Sequence, residues 1–332
     1  MITVTLYHRG SNDENQQVLE FLEELQKTVP HRLVQIDIES DPLLLEAFAH
    51  QSPLVEVGPY RLRSPITKTD LQVALGAASD RARHLDSADP AYKERVERGK
   101  KITGADRFTY WFSTYYIILF NVLAFLYVGL PFFAPVLMKA DLPAPARVIY
   151  TIYSPLCHQL AFRSWFIFGE QPYYPRALAQ IPDVLTYEEL AGREQADLFN
   201  ARGFIGNPEV GYKVALCQRD VAIYGAIFLF GVIYAISGRR FKIIPWYFWV
   251  VLGLVPIGLD GVSQLPSLMG SLAPDWIPIR ESTPFLRSIT GGMFGLMTAW
   301  YVYPLIDESM RETRRMIARK MAVVEQTQDS PR

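Results

Sequence analysis

Two cysteines occur in the 332 residues of the chain, and each sits in a compact polar motif at the edge of an apolar segment. Leu156-Cys157-His158-Gln159 is followed by Arg163-Ser164, and Cys217-Gln218-Arg219-Asp220 opens an apolar run. His158 is the single histidine beyond His84. Thiolate, imidazole and carboxylate form the donor set that holds zinc or a related ion, so Cys157, His158, Cys217 and Asp220 are a candidate metal site if the fold joins them. A coordination position left to water would lower the pKa of that water, with Asp260 or Glu281 as general base and Arg163 or Arg287 clamping an anionic group such as a lipid phosphate. If four protein atoms fill the shell, the metal is structural and no hydrolytic chemistry follows. Two other states are open to the same thiols: a Cys157–Cys217 disulfide, or free thiols. For Asp260, Glu281, Arg163, Arg219 and Arg287 the plainer alternative is a set of ion pairs that anchor helix ends.

The elements that must position these residues divide the chain sharply. Up to about Lys101 the composition is that of a soluble protein; beyond Arg107 come long uncharged runs rich in Phe, Tyr, Trp, Leu and Ile. The net charge of −1 gives no argument for nucleic acid as a partner. No cleavable signal peptide is expected at the start, where a short strand-like run soon gives way to charged residues. Residues 81–107 form a basic linker, which marks the cytoplasmic side of an apolar span. Residues 110–138 then run uncharged beyond the roughly 20 residues a spanning helix needs, with Pro131 and Pro135 expected to end or kink it. Three shorter spans are expected at 221–236, 243–259 and 288–306. Basic charge in Gly238-Arg239-Arg240-Phe241-Lys242 and after Ile306 then puts both termini in the cytoplasm of a multi-pass protein in the cytoplasmic membrane.

Segment 148–168 is apolar but interrupted by Pro155, His158 and Arg163, which suggests an interfacial or re-entrant element, with a fifth span as the alternative. An extracytoplasmic insertion is expected at 170–215, with a helical patch near 187–199. Residues 307–323 suggest an amphipathic surface helix ahead of a disordered end at 326–332. With this topology the Cys157, Cys217, Asp260 and Glu281 motifs converge on the outer face of the membrane domain, 108–306. Trp246, Trp249, Trp276 and Trp300 suit interfacial belts, and His8, His31, His50 and His84 suit solvated positions.

Residues 1–80 alternate strand and helix patterns in the order βαβαββα, with apolar positions Val18, Leu19, Leu22 and Leu25 marking an amphipathic first helix. This α/β order resembles the thioredoxin fold and, more closely, the glutaredoxin-like family. There a Cys-x-x-Cys follows a Leu-Tyr-x-x-x-Gly stretch. Here Leu6-Tyr7-His8-Arg9-Gly10 leads to Asn12 and Asn15 at the cysteine positions, so dithiol exchange is excluded. Pro53 matches that family's cis-proline, and the resemblance implies a retained fold with a binding or structural role toward a cytoplasmic partner.

The membrane motifs resemble the domain-of-unknown-function 2085 family of predicted membrane proteins. Its pattern is Cys-His-Gln with Arg-Ser, Cys-x-Arg-Cys before Gly-Ile-Tyr, Asp-Gly-x-x-Gln, and Glu-Ser-x-x-x-Arg with Thr-Gly. The matching residues are Cys157-His158-Gln159, Arg163-Ser164, Cys217-Gln218-Arg219, Ile223-Tyr224, Asp260-Gly261 with Gln264, and Glu281-Ser282 with Arg287 and Thr290-Gly291. Asp220 stands where that pattern has its last cysteine, and the stretch after Gly169-Glu170-Gln171 is longer than the family's connection. The resemblance implies no activity. The expected function is therefore a membrane protein with a zinc site at its outer face, acting on lipid or envelope material. The alternatives are a non-enzymatic scaffold or receptor, and a Cys157/Cys217 thiol–disulfide protein.

Overall fold

The computed structural model of the chain describes residues 2–10, 12–192, 197–266 and 280–329. Trp276 and the last three residues lie outside that range. The chain forms two compact units, Met1–Tyr115 with Ser309–Arg332, and Tyr116–Glu308.

In the first unit the order is β1 (Ile2–His8), α1 (Asp13–Gln26), β2 (His31–Asp37), α2 (Pro42–Phe48), β3 (Leu54–Val57), β4 (Tyr60–Arg63) and α3 (Lys68–Ala88). The sheet order is β2-β1-β3-β4, with β1 parallel to β2 and antiparallel to β3. Four consecutive residues of β1, Val4 to Tyr7, are buried, as a strand covered on both faces requires. On one face Val4, Leu6, Val55 and Val57 pack with Val18, Leu22 and Leu25 of α1 and Leu71 and Leu75 of α3. The i, i+4, i+7 spacing of the α1 residues is the apolar stripe that drives this contact. Asn12 caps α1, its side chain accepting from the Asn15 backbone N–H at 2.8 Å. The Ser52–Pro53 peptide bond is cis.

Three expectations for this unit need correction. His31 is 1 % exposed rather than solvated, with Nδ1 against the Val29 carbonyl at 2.7 Å, because it opens β2 beneath α1's end. The third helix runs on to Ala88, and a further helix, α4 (Tyr92–Gly99), occupies the basic linker. The C-terminal segment is no separate surface helix and does not fray at residue 326, since one helix runs unbroken over Pro284–Asp329. Its last turns cover the second face of the sheet, where Ala322 and Val323 pack on Tyr7, Phe48 and Leu54. Arg319 lies over the Phe48 ring at 4.9 Å and pairs with Glu56.

The second unit holds α5 (Gly104–Lys139, from Tyr116 on), α6 (Pro143–Tyr153), β5 (Ser164–Ile167), α7 (Tyr187–Ala191), α8 (Leu198–Gly203), β6 (Gly206–Asn207), β7 (Gly211–Cys217), α9 (Gln218–Ile236), α10 (Trp246–Val262, with a π-helical stretch at Trp249–Leu254) and the first part of α11 (Pro284–Asp329). Among the described residues two helices, α5 and α9, are long and apolar enough to cross a membrane; α10 is apolar but shorter. Pro131 and Pro135 do not end α5, which continues to Lys139. Segment 148–168 is no spanning helix: α6 stops at Tyr153 and the chain turns into β5. The segment 170–215 has structure of its own. The sheet β5-β7-β6 ties it to residues 164–167, with a core of Phe162, Phe166, Tyr174, Tyr187 and Val210.

Close packing of α9 on α11 sets the site's frame. A Cβ on Gly295 would stand 2.2 Å from the Ile223 carbonyl oxygen, and one on Gly291 would stand 2.7 Å from that of Arg219. Glycines four apart thus let the two backbones meet, as small residues do between membrane helices. Gly295→Ala is expected to cost about 1–3 kcal/mol by overpacking. Gly292→Ala, which meets nothing within 4 Å, is expected to leave the melting temperature of the detergent-solubilised chain unchanged.

Candidate metal and arginine site

Cys157 follows α6, its N–H bonded to the Tyr153 carbonyl at 2.9 Å, and the chain then turns through Gln159 in the left-handed region (φ 52°). Cys217 ends β7 and caps α9. The fold brings Cys157, Cys217 and Asp220 together, their ligand atoms all within 4.8 Å of one another. Backbone N–H groups aim at both sulfurs: those of Cys217 (3.3 Å) and Gln159 (3.5 Å) at Cys157 Sγ, and that of Asp220 (3.5 Å) at Cys217 Sγ. Such donors, with the α9 N-terminus beneath, favour thiolate over thiol. The hydrogen bond from the Cys217 thiol holds Cys157 below the ordinary thiol range, and the same bond together with burial pushes Cys217 above it. No disulfide joins the two sulfurs in this structure. His158 is exposed and does not join the group of three, although it lines the same cavity.

That cavity holds about 240 Å³, and its lining includes Cys157, His158, Cys217 and Asp220 together with Arg163, Arg219 and Arg287. The expected carboxylates sit behind the guanidinium groups and are absent from the lining residues. Glu281, its side chain 1 % exposed, accepts from Arg163 Nε (3.0 Å) and Nη2 (3.2 Å), pairs with Arg287, and faces Arg176 Nη1 at 3.7 Å. Asp260, equally buried, pairs with Arg219 and faces Arg280 Nη1 at 3.6 Å. Gln264 links the two groups, accepting from Arg287 Nη2 (3.3 Å) and donating to the Asp260 carbonyl (2.5 Å). Arg287 also donates to the Phe162 carbonyl (3.3 Å) and Gln218 Oε1 (3.4 Å), which couples α11 to the start of β5 and α9.

All four polar motifs therefore meet in one place, as expected, but with altered roles. Glu281 and Asp260 hold arginines and do not face the cavity, so neither stands where a general base would take a proton from a ligand in it. Sequence reasoning missed Lys213. It lies in β7, entirely buried, and its Nζ donates to the carbonyls of Gln159 (2.8 Å) and Arg202 (2.6 Å). Tyr150 OH returns a bond to the Lys213 carbonyl at 2.5 Å, so the turn that carries Cys157 is fastened to the strand that ends at Cys217. A lone lysine inside the apolar Val-Ala-Leu-Cys strand was the available signal.

Comparison with known proteins agrees with the membrane reading. The family model described as a predicted membrane protein, DUF2085, matches residues 208–301, a segment that holds Cys217, Asp220, Asp260, Glu281 and Arg287 and leaves out Cys157, His158 and Arg163. An uncharacterised protein of Methanocaldococcus jannaschii is 26% identical over 162 residues, covering 48% of this chain and 69% of that relative. No solved structure matches. Two apolar helices of spanning length and the match over residues 208–301 make this a predicted membrane protein, similar in that segment to the DUF2085 family.

Proposed function

We propose that the protein is a multi-pass membrane protein that holds a zinc ion at the outer membrane face, with Cys157, Cys217 and Asp220 as ligands and a fourth position left to water or substrate. One observation carries this reading: three donor atoms of zinc-binding type within 4.8 Å, with backbone N–H groups already aimed at both sulfurs. Three protein ligands and an open position are the arrangement of catalytic rather than structural zinc. Zinc held there would supply a water of lowered pKa, and His158, exposed at the cavity, would be the nearby general base. Asp260 and Glu281 position the arginines. The chemistry that such a group would supply is hydrolytic, with lipid or envelope material as the substrate class.

Four spans are part of the proposal. On α10 Val251, Leu259 and Val262, and on α11 Phe285 and Ile289, are exposed large apolar residues, which suits contact with lipid. Helix α9 has 19 residues and so rises about 28 Å between the Cys217 end and the Arg239–Asp307 ion pair beyond its other end, near the thickness of a hydrocarbon core. Polar clusters at both ends and apolar surface between them suit a bilayer. For the first unit, the sheet order and the Asn12 cap support a thioredoxin-like module without redox chemistry, serving a binding role toward a cytoplasmic partner.

Elemental analysis of the full chain purified in detergent tests the metal. Wild type is expected to carry one zinc, Cys157→Ser and Cys217→Ser none, and His158→Gln the wild-type content. Loss of zinc in His158→Gln would make His158 the fourth ligand and the site structural. A zinc-free wild type whose thiols are blocked by a Cys157–Cys217 disulfide would replace this reading with the dithiol one.

A further inference from the structure

We infer that the arginine wall of the cavity binds a phosphoryl anion, with Arg163, Arg219 and Arg287 as its donors. The inference rests on the zinc reading in one respect, that a bound zinc cancels most of the negative charge of its own ligands and leaves the arginines to be neutralised by something else.

The charge balance of that wall is the first observation. Arg163, Arg219 and Arg287, the three arginines that line the cavity, are paired with two carboxylates, Asp260 and Glu281. Glu281 and Arg287 are both almost entirely buried, where unbalanced charge is costly unless a counter-charge arrives. The geometry of the wall is the second. Both carboxylates lie behind their arginines, so what faces the cavity from that side is guanidinium, an arrangement that orients planar donors toward an incoming oxyanion. Thirdly, Arg219 Nε is buried and has no hydrogen-bond partner among the described residues. A buried N–H donor left without an acceptor is disfavoured by about 1–3 kcal/mol, which a ligand oxygen would relieve.

Size and surroundings narrow the class. A volume of about 240 Å³ is below that of pockets for drug-sized ligands and suits a compact headgroup. Donors from three different elements, the turn before β5, α9 and α11, suit the several equivalent oxygens of a phosphoryl group better than a planar carboxylate. Leu156, 55 % exposed, lines the same cavity and offers an apolar edge along which an acyl chain would leave. The shared chemistry is thus a phosphate monoester or phosphate dianion, supplied either by a lipid headgroup or by the free ion.

The test uses the detergent-purified full chain with its zinc content measured in the same sample. Binding of radiolabelled inorganic phosphate is followed by equilibrium dialysis, with short-chain phosphatidic acid as competitor. Wild type is expected to bind phosphate, and Arg219→Gln to weaken it at least tenfold. Arg219→Lys keeps the charge toward Asp260 but lacks the Nε donor; it is expected to fold with the wild-type melting temperature and still bind several-fold more weakly. Displacement by phosphatidic acid at concentrations well below those of phosphate itself assigns the site to a lipid headgroup, and displacement only at comparable concentrations assigns it to the free ion; either supports the inference. Failure of the zinc-loaded wild type to bind either probe overturns the inference and leaves the metal reading standing. Arg219-dependent binding by a zinc-free protein overturns the metal reading and leaves this one standing. Equal affinity in wild type and a correctly folded Arg219→Lys overturns it.

Discussion

Glu281→Gln is expected to destabilise the unit Tyr116–Glu308 by about 3–5 kcal/mol, the largest effect of any single substitution in the polar cluster. The Glu281 carboxylate is 1 % exposed and is shared by Arg163, Arg176 and Arg287, the last with a side chain 3 % exposed. Glutamine keeps the shape and two hydrogen-bonding atoms but removes the charge, so Arg287 stays buried beside a neutral amide. An uncompensated guanidinium in a low-dielectric surrounding costs far more than the hydrogen bonds that survive. Thermal denaturation of the detergent-solubilised full chain reads the effect; at about 2–4 °C per kcal/mol the melting temperature falls by roughly 6–20 °C. Glu46→Gln is the contrast. Glu46 pairs with Arg315 at 2.6 Å but is 47 % exposed, and its loss is expected to shift stability by less than about 1 kcal/mol. Adding Arg287→Met to Glu281→Gln is expected to restore part of the loss, because the orphaned charge leaves with it. A shift below about 1 kcal/mol for Glu281→Gln alone would mean that water reaches the cluster and that its burial is not what holds these helices together.

The same cluster shows which parts of the molecule are legible in sequence. Local periodicity is enough for the first unit: Val18, Leu22 and Leu25 mark one helix face, and the order of elements up to Lys68 agrees with the structure apart from end residues. Motif order is enough to bring Cys157, Cys217, Asp220, Arg163, Glu281 and Arg287 to one place, since ionisable groups beside apolar spans have few tolerable destinations. What stayed hidden depends on non-local pairing. Strand β6 has two residues, and β5 pairs with β7 across the whole 170–215 segment, so no window of sequence contains the sheet. His31 and Lys213 misled because a polar residue type reads as exposed until the partners that satisfy it, backbone carbonyls in both cases, are known. At Asp307 the composition changes from apolar to charged and suggests a boundary. Yet no glycine or proline interrupts 307–329, so nothing there stops a helix, and Pro284–Asp329 is one element. Whether a side chain faces a ligand or stands behind one that does is likewise set by the third dimension, and Asp260 and Glu281 changed role for that reason.

Lys213→Met is expected to abolish a rise in stability that the wild type shows as pH climbs above 7. Burial pushes the Lys213 ammonium from 10.5 down to about 7, while its Nζ remains bonded to the Gln159 and Arg202 carbonyls. In the unfolded chain the amine keeps its ordinary value and stays protonated to about pH 10. Between those limits the unfolded state binds more protons than the folded one, so folding stability increases with pH, by about 1.4 kcal/mol per unit at most and by about 5 kcal/mol in all. Below pH 7 both states are protonated and the unfavourable contribution is constant. The lowered Cys157 thiol adds a rise of the same sign below the ordinary thiol range and the raised Cys217 thiol a fall above it, but both are present in wild type and variant, so the difference between the two proteins over pH 6 to 8 reads the lysine. Methionine fills similar space without charge but leaves two buried carbonyls unbonded, at about 1–3 kcal/mol each. The variant is therefore expected to melt below wild type at pH 8 and to close that gap by about 1 kcal/mol at pH 6, an equivalent of roughly 2–4 °C. Melting curves of the two proteins at pH 6, 7 and 8 read the difference directly, and a gap that stays constant across the three would show that the amine is not desolvated. Because Lys213 fastens Gln159, two residues from Cys157, to the strand that ends at Cys217, the proton it gains or loses falls beside the turn and strand that bring the two sulfurs together.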